Sequence, residues 1–154
     1  MARRTGLKLD DFLPYLVNRI GAVLVARFTR ETLAREHLTI DMWRVLAALS
    51  ENCGQRQVDL AGMTSIETST VSRLVTRLIH RGLATRSRSR TNSREVVVRL
   101  SPRGTALVRR LIPIARALEH AALEGIPAKD LAAIKGRLRR IYANLASEGS
   151  AVVR

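Results

Sequence analysis

The residues of this chain best suited to chemistry are arginines, and they are concentrated in one segment. Between Arg73 and Arg110 there are eleven arginines and a single acidic residue, Glu95. So much permanent positive charge is unfavourable unless an anionic partner offsets the repulsion. Duplex nucleic acid, which carries a negative charge every ~1.7 Å along its axis, is such a partner. The clustering therefore predicts a nucleic-acid-binding surface.

The overall composition is that of a folded protein. The 154 residues carry a net charge of +14, with 46% hydrophobic and 26% charged residues. These proportions are typical of one globular domain, or of one domain whose ends build an interface, and not of a disordered polycation. A GC-rich genome would explain why Lys8, Lys129 and Lys135 are the only lysines. Such a bias does not explain why the arginines are clustered.

The cysteine and histidine content argues against secretion, metal binding and catalysis. Cys53 is the single cysteine, so no internal disulfide forms, and no apolar stretch reaches the ~20 residues of a membrane span. We therefore expect a cytoplasmic protein. His37, His80 and His120 are far apart, and neither a nucleophile–base arrangement nor a glycine-rich phosphate loop is present. The sequence predicts no metal, no cofactor and no enzymatic activity.

Apolar periodicity predicts a mainly α chain with a small two- or three-stranded β-wing. The first four expected elements are a helix over 10–36, a helix after the N-cap Thr39, a short helix over 57–63 and a helix over 67–81 that Gly82 ends. A hairpin over 83–100 follows, then a helix that begins at Ser101-Pro102 and a last helix that runs through Leu145. A capping box of Thr64 with Glu67 would start the fourth helix earlier. A short helix, a turn and a second helix before a basic hairpin indicate a winged helix-turn-helix.

The helix over 67–81 has two unlike faces. Its apolar residues share one side, and hydroxyls and arginines occupy the other. Arginine bonds guanine bidentately, while Ser and Thr bond base edges or phosphates, so the polar side suits a major groove. An ordinary solvated helix face is the alternative. The predicted DNA-contacting residues, hairpin included, are Gln57, Thr68, Ser69, Thr70, Ser72, Arg73, Thr76, Arg77, Arg86, Arg88, Arg90 and Arg94.

Within this set, different residues are expected to do different work. Thr68, Ser69 and Thr70 with Arg73 lie near the helix N-terminus and are expected at base edges, and Arg77 is expected on a phosphate. Arginines at period two in the hairpin project to one side of an extended strand, and a narrow minor groove favours such arginines. A flexible basic loop with only non-specific attraction is the alternative for the hairpin.

Four segments resemble the MarR family of bacterial transcription regulators. They are Val58-Asp-Leu-Ala61, Ser69-Thr-Val-Ser-Arg-Leu-Val-Thr-Arg-Leu78, Arg81-Gly-Leu83 and the stretch from Arg94 to Leu100-Ser-Pro-Arg-Gly104. The resemblance implies a homodimer that binds a palindromic operator and usually represses genes, often released by a small aromatic or phenolic anion. It also implies dimerisation helices over 8–36 and 102–148 around a winged helix-turn-helix domain over 39–101.

The terminal helices carry the expected dimer interface. Apolar residues in the last helix recur at steps of three and four, which is the spacing of a coiled-coil seam. The predicted interface residues are Phe12, Leu16, Leu131, Ile134, Leu138, Ile141 and Leu145. By the same resemblance, a ligand cavity lies near the first two helices and the start of the fifth. Tyr15, Arg19, Arg27, Trp43 and Arg44 are its candidate walls and anchors, although core packing of Trp43 and solvated arginines remain the alternative.

Two positions depart from the family pattern. The family's wing commonly has Asp-x-Arg, but Asn92 precedes Arg94 here, so the usual ion pair cannot form. Ser65 stands in the turn where the family often has glycine, which predicts either a strained backbone or a different turn. A rival of another class, a nucleoid- or RNA-associated basic protein, would share the charge. It would not need the seam or the hydroxyl-rich helix face.

Overall fold

A computed structural model describes residues 6–52, 54–88 and 95–148 of the chain. The helices are α1 (Leu13–Glu31), α2 (Ile40–Glu51), α3 (Gln57–Thr64), α4 (Thr68–His80), α5 (Pro102–Ala122) and α6 (Ala128–Glu148). Two short 3₁₀ turns, Leu9–Asp11 and Leu33–Glu36, flank α1, and the strands β1 (Ala84–Arg88) and β2 (Val96–Leu100) precede α5. The predicted fold, mainly α with a small β-wing in a winged helix-turn-helix, is confirmed.

The first predicted helix is shorter than expected. It was predicted over 10–36, but α1 begins at Leu13 and ends at Glu31. Pro14 lacks an N–H and fits only in a first turn, so the helix begins just before it. At Thr32 the backbone leaves the helical region and the 3₁₀ turn follows, with Leu33 fully buried. Tertiary burial of Leu33 therefore overrides the helical periodicity at this end.

The boundaries of the next three helices follow their end signals. The Thr39 hydroxyl accepts the Met42 N–H at 3.2 Å, as an N-cap should. Thr64 is the last residue of α3 and donates its hydroxyl to the Leu60 carbonyl, so the capping box with Glu67 does not form. The alternative of an earlier start is therefore wrong, and the predicted start near Glu67 agrees with the structure, in which Glu67 is the N-cap residue of a helix that begins at Thr68.

Glycine ends the fourth helix in the expected way. Gly82 has φ +67°, its N–H bonds the Ile79 carbonyl at 2.8 Å, and the Leu83 N–H bonds the Leu78 carbonyl at 2.9 Å. This pair of bonds is a Schellman motif, which satisfies carbonyls that the helix itself leaves unpaired. The chain thereby leaves α4 and enters β1 within three residues.

The hairpin is antiparallel and pairs Ala84 with Leu100 at its base and Arg88 with Val96 at its far end. Gln55 adds an isolated bridge to Val98, with N–H to carbonyl distances of 2.9 and 2.8 Å. The wing within the described residues is therefore a two-stranded sheet with one additional bridge. That bridge joins its second strand to the segment before α3.

Ser101 and Gly104 fix the junction between the hairpin and α5. The Ser101 hydroxyl donates to the Gly82 carbonyl at 2.6 Å and accepts the Gly104 N–H at 2.9 Å, confirming it as a helix N-cap. A Cβ on Gly104 would collide with the Leu83 carbonyl. Glycine is therefore required where α5 passes the exit of α4.

The chain divides into two compact units, Met1–Arg116 and Ala117–Arg154. The first unit contains the buried apolar core, in which Val45, Leu46, Leu60, Val75 and Val98 are completely inaccessible. In the second unit Lys135 forms an ion pair with Glu119. No helix in the described part of the chain is both long enough and apolar enough to cross a membrane.

Candidate nucleic-acid interface

A tight turn joins α3 to α4. Ser65 adopts the left-handed conformation, with φ 55° and ψ 33°, and the Ile66 N–H bonds the Ala61 carbonyl at 3.3 Å. Non-glycine residues seldom adopt this conformation, so the strained alternative predicted for this serine is the one observed. Only Ser65, Ile66 and Glu67 separate the two helices, which is the spacing of a helix-turn-helix.

The fourth helix buries one face and presents the other. Val71, Val75 and Leu78 have no accessible surface, and Leu74 is 9% exposed. On the opposite face the side chains are exposed or half-buried, and they are those of Ser69, Ser72, Arg73, Thr76, Arg77 and His80. The predicted division of this helix into a packing face and a polar face is therefore present in the structure.

The polar face is organised by hydrogen bonds between arginines and hydroxyls. Arg73 Nη2 donates to Thr70 Oγ1 at 3.1 Å, and Thr76 Oγ1 donates to the Ser72 carbonyl at 3.0 Å. From the hairpin, Arg86 Nη2 donates to the same Thr76 hydroxyl at 3.1 Å. An open depression lies along this face, lined by Ser72, Arg73, Thr76, Arg77 and His80. Guanidinium and hydroxyl groups here can donate to base edges or to phosphate oxygens.

The remaining predicted DNA contacts lie at the ends of this surface. Thr68 and Ser69 are exposed in the first turn of α4, and Gln57 is half-buried as the first residue of α3. Arg88 is exposed at the far end of β1. The predicted DNA contacts Arg90 and Arg94 lie outside the described residues. So do Asn92, which departs from the family's wing pattern, and Cys53.

Sequence reasoning missed an acidic contact at the far end of the described strands, where Glu95 precedes β2. Glu95 Oε1 lies 3.5 Å from Arg56 Nη1, and Arg56 also binds both carboxylate oxygens of Asp59 at 2.8 Å. Hydrogen bonds from Arg56 lower the pKa of Asp59, and those same bonds raise the pKa of Arg56. The Arg56–Asp59 pair at a helical spacing of three was readable from the sequence, whereas nothing local signalled Glu95.

Three of the five candidate ligand residues are arginines already paired with carboxylates. Arg27 Nε lies 3.2 Å from Glu31, Arg44 Nη1 3.1 Å from Asp41, and Arg19 Nη1 3.7 Å from Asp10, all on exposed side chains.

The two aromatic candidates are half-buried. Trp43 packs edge-to-face against Phe28, with ring centroids 5.5 Å apart, and Tyr15 lies on α1. Trp43 therefore has a packing contact with the buried Phe28, and the ligand role of the five candidates stays a prediction.

A cavity of about 440 Å³ lies elsewhere in the first unit. It is bounded by the end of α2, the segment around Gly54, the end of β2 and the first half of α5. Leu49, Val108 and Ile112 supply apolar walls, Arg99 and Arg109 supply two cationic groups, and Glu51 supplies one carboxylate. None of the five predicted ligand residues lines it. Such a cavity suits a small molecule with an apolar body and an anionic group.

The predicted dimer residues are largely exposed in the single chain. On α6, Ile134 and Leu138 are both 42% accessible and Leu145 is 66% accessible. Ile141 and Phe12 are also exposed, whereas Leu131 and Leu16 are half-buried. The apolar residues Val17, Ile20 and Val23 of α1 are exposed as well. Each of these two helices therefore exposes several large apolar side chains, a feature that on soluble proteins often marks an interaction surface.

Comparison with known proteins identifies the family. Residues 38–96 match the model of the MarR family. A MarR family transcriptional regulator from Silicibacter pomeroyi DSS-3 is 33% identical, covers 91% of this chain and 99% of its own, and superposes with a TM-score of 0.75. The HTH-type transcriptional repressor NicR of Pseudomonas putida is 28% identical over 138 residues, which span 85% of this chain and 87% of NicR.

A third similar protein is BpsR of Bordetella bronchiseptica, whose DNA binding is regulated by 6-hydroxynicotinic acid. It is 28% identical, covers 89% of this chain and 97% of its own, and has a TM-score of 0.77. These relatives are regulators of transcription and not enzymes. With the winged helix-turn-helix and its exposed arginine-hydroxyl face, these similarities show that the chain belongs to the MarR family of transcriptional regulators.

Proposed function

We propose that this regulator is a homodimeric repressor that binds a palindromic operator and is released by a small aromatic anion. The observation that carries the proposal is the polar face of α4, which remains exposed while the apolar face of the same helix is buried. A major groove ~12 Å wide admits such a helix. The 13-residue α4 is flanked by a hairpin whose β1 arginines are also exposed.

Within this interface we assign base readout to the N-terminal half of α4. Arg73 and Thr70 already share a hydrogen bond, which orders the guanidinium before DNA arrives. An ordered arginine loses less side-chain entropy on binding than a free one. Arg77 and Arg88 are exposed without a base-reading geometry of this kind, and we assign them to phosphates or to the adjacent minor groove.

A palindrome requires two copies of α4 at a fixed separation. Two half-sites on one side of the duplex lie ~34 Å apart, so the dimer interface determines whether both helices reach the DNA. We propose that the exposed apolar residues of α1 and α6 form this interface with a second copy of the chain. Burying the seam residues of α6 would stabilise the dimer through the hydrophobic effect.

For the effector we favour the cavity between α2, β2 and α5. The cavity combines apolar walls with the guanidinium groups of Arg99 and Arg109, so a small molecule can bury an apolar body there and pair an anionic group with an arginine. An aromatic carboxylate fits this chemistry, and 6-hydroxynicotinic acid, which regulates BpsR, is such a molecule. The effector releases DNA only through its differential affinity for the bound and free forms, typically 1–3 kcal/mol.

Footprinting on the protein's own upstream region tests the proposal. We expect one or a few discrete protected palindromes, and we expect the footprint to weaken when 6-hydroxynicotinic acid is added. An isosteric neutral amide is the control ligand. Uniform coverage of the DNA, or retention of RNA in preference to duplex, would favour the nucleoid- or RNA-associated alternative.

The proposed DNA target also implies a cytoplasmic protein.

A variant separates the effector site from the DNA interface. Arg109 lies on α5 and lines the cavity, and it is not among the proposed DNA contacts, so Arg109→Met should leave the footprint intact and weaken the response to the carboxylate. Arg44→Met is the matched control from the other candidate set. A loss of response in Arg44→Met but not in Arg109→Met would assign the effector to the region around Trp43 instead.

A further inference from the structure

One arginine ties the C-terminal end of α4 to a distant part of the subunit. Arg81, the C-cap residue of α4, donates from Nη1 to the His37 carbonyl at 2.6 Å and from Nη2 to the Glu36 carbonyl at 2.7 Å. These partners precede it by 44 and 45 residues. A planar guanidinium holds two neighbouring acceptors at once, which a lysine ammonium does not reproduce.

The acceptors lie at the end of the 3₁₀ turn Leu33–Glu36, where carbonyls lack partners within the turn. His37 has the left-handed conformation, with φ 52°, and its N–H bonds the Ala34 carbonyl at 3.1 Å. The Leu38 N–H bonds the Leu33 carbonyl at 3.0 Å, and both leucines are buried. The turn therefore offers two fixed carbonyls to which a positively charged donor binds favourably.

The same turn is also attached to α5. The Glu36 carboxylate accepts a hydrogen bond from Arg110 Nη2 at 2.6 Å, across 74 residues of sequence. Arg110 follows Arg109, which lines the cavity described above. Glu36 therefore meets the recognition helix through its carbonyl and α5 through its carboxylate. All of these contacts lie within the unit Met1–Arg116.

We propose that Arg81 is a positioning residue that fixes the orientation of α4 and thereby the specificity of DNA binding. The proposal rests on the proposed function. A helix of 13 residues is about 20 Å long, so a swing of ~10° about its C-terminal end moves its N-terminal turn by about 3 Å. Base-reading side chains need positions good to about 0.5 Å. Arg81 acts on Thr68, Ser69 and Arg73 without touching the DNA itself.

The test compares Arg81→Lys and Arg81→Met with the control Arg35→Met, an exposed arginine of the same 3₁₀ turn. Dissociation constants are measured for full-length protein on its footprinted operator and on random duplex, over a salt series. We expect both Arg81 variants to lower the ratio of operator to random affinity by about tenfold or more, because the two-carbonyl bridge is lost in each. Arg35→Met should keep the ratio.

The lysine variant distinguishes positioning from direct contact. If Arg81 instead binds a phosphate, Arg81→Lys keeps the wild-type ratio, and Arg81→Met weakens operator and random DNA equally while reducing the salt slope by about 1. If Arg81 only stabilises the fold, both variants lower Tm and leave the ratio unchanged. Either result overturns the proposal. A wild-type protein that does not discriminate its operator refutes the proposed function instead.

Amide hydrogen exchange of the free, full-length protein tests the bridge without DNA. We expect faster exchange in Arg81→Lys at the amides of Arg81, Gly82 and Leu83, which close the last turn of α4. Arg35→Met should exchange as the wild type does at these amides. Unchanged exchange in Arg81→Lys would show that the bridge does not hold the helix end, and it would overturn the proposal whatever the DNA result.

Discussion

Helices α4 and α6 are both amphipathic, but they expose opposite kinds of residue. In α4 the apolar residues Val71, Val75 and Leu78 are fully buried within the subunit, and the exposed side carries hydroxyls and arginines. In α6 the apolar residues Ile134, Leu138 and Leu145 are themselves exposed. The difference indicates that α4 has its packing partner inside the subunit and presents a polar surface, whereas α6 leaves its apolar residues accessible, which is the basis of the dimer proposed above.

This contrast separates two kinds of binding energy. A polar face gains most of its affinity from charge, so the α4 surface should respond to salt and to base sequence. An apolar seam gains its affinity from burying surface, so the α6 face should respond to apolar-to-charged substitutions and hardly to salt. Variants on the two helices should therefore fail in different assays.

The largest effect is expected on α6. Leu138→Glu combined with Ile141→Glu places two charges on the seam, so we expect sedimentation to show monomers at micromolar protein, with operator binding lost because one subunit holds one half-site. Arg140→Glu is the control, since it changes the net charge by the same amount on the other side of the same helix. A wild-type monomer at micromolar concentration would refute the dimer.

The next effect is expected at the N-terminal half of α4. Arg73→Ala should weaken operator binding by about 1–3 kcal/mol and relax the base preference at one position of each half-site. The measurement is competition binding with single-base operator variants. Arg77→Ala is the comparison, because loss of a phosphate contact weakens all duplexes alike. Equal losses on operator and random DNA for Arg73→Ala would contradict base readout.

A smaller and more uniform effect is expected in the wing. Arg88 is exposed at the end of β1, and removing its charge in Arg88→Ala should lower the salt slope of DNA binding by about 1. Titrations on operator and random duplex at several salt concentrations measure this slope. Arg103→Ala, on the exposed first turn of α5, serves as a charge-matched control. A slope equal to the wild type would remove Arg88 from the interface.

The smallest effect concerns stability and pH at the start of α3. Arg56 lowers the pKa of Asp59 through hydrogen bonds, so the pair stabilises the folded state above about pH 4, and this contribution is lost as the pH falls through the lowered pKa. Asp59→Asn should therefore lower Tm slightly at pH 6 and by less at pH 2.5. Thermal unfolding monitored by circular dichroism at both pH values measures the difference. A Tm difference that is independent of pH would exclude the ion pair as its cause.

Much of the fold was predictable because its signals are local. The N-caps Thr39 and Ser101, the glycine end of α4 and the two faces of α4 each depend on residues within about four positions of one another. The end of α1 at Glu31 was not predictable in this way, because it depends on where the interior of the protein accepts Leu33.

The amino-acid sequence by itself determined the segments of this protein: which residues are helical, which face of α4 is polar, and where positive charge accumulates. Those signals come from residues close together in sequence. The spacing of apolar residues predicts each helix and its buried face, and capping residues predict where a helix begins and ends. Only the tertiary structure decided that Arg81 meets the 3₁₀ turn, that Glu36 meets Arg110, and that Arg99 and Arg109 share a cavity. Such contacts join residues that are far apart in sequence, so no local sequence pattern predicts them. They form only because the packing of the whole core places these residues side by side.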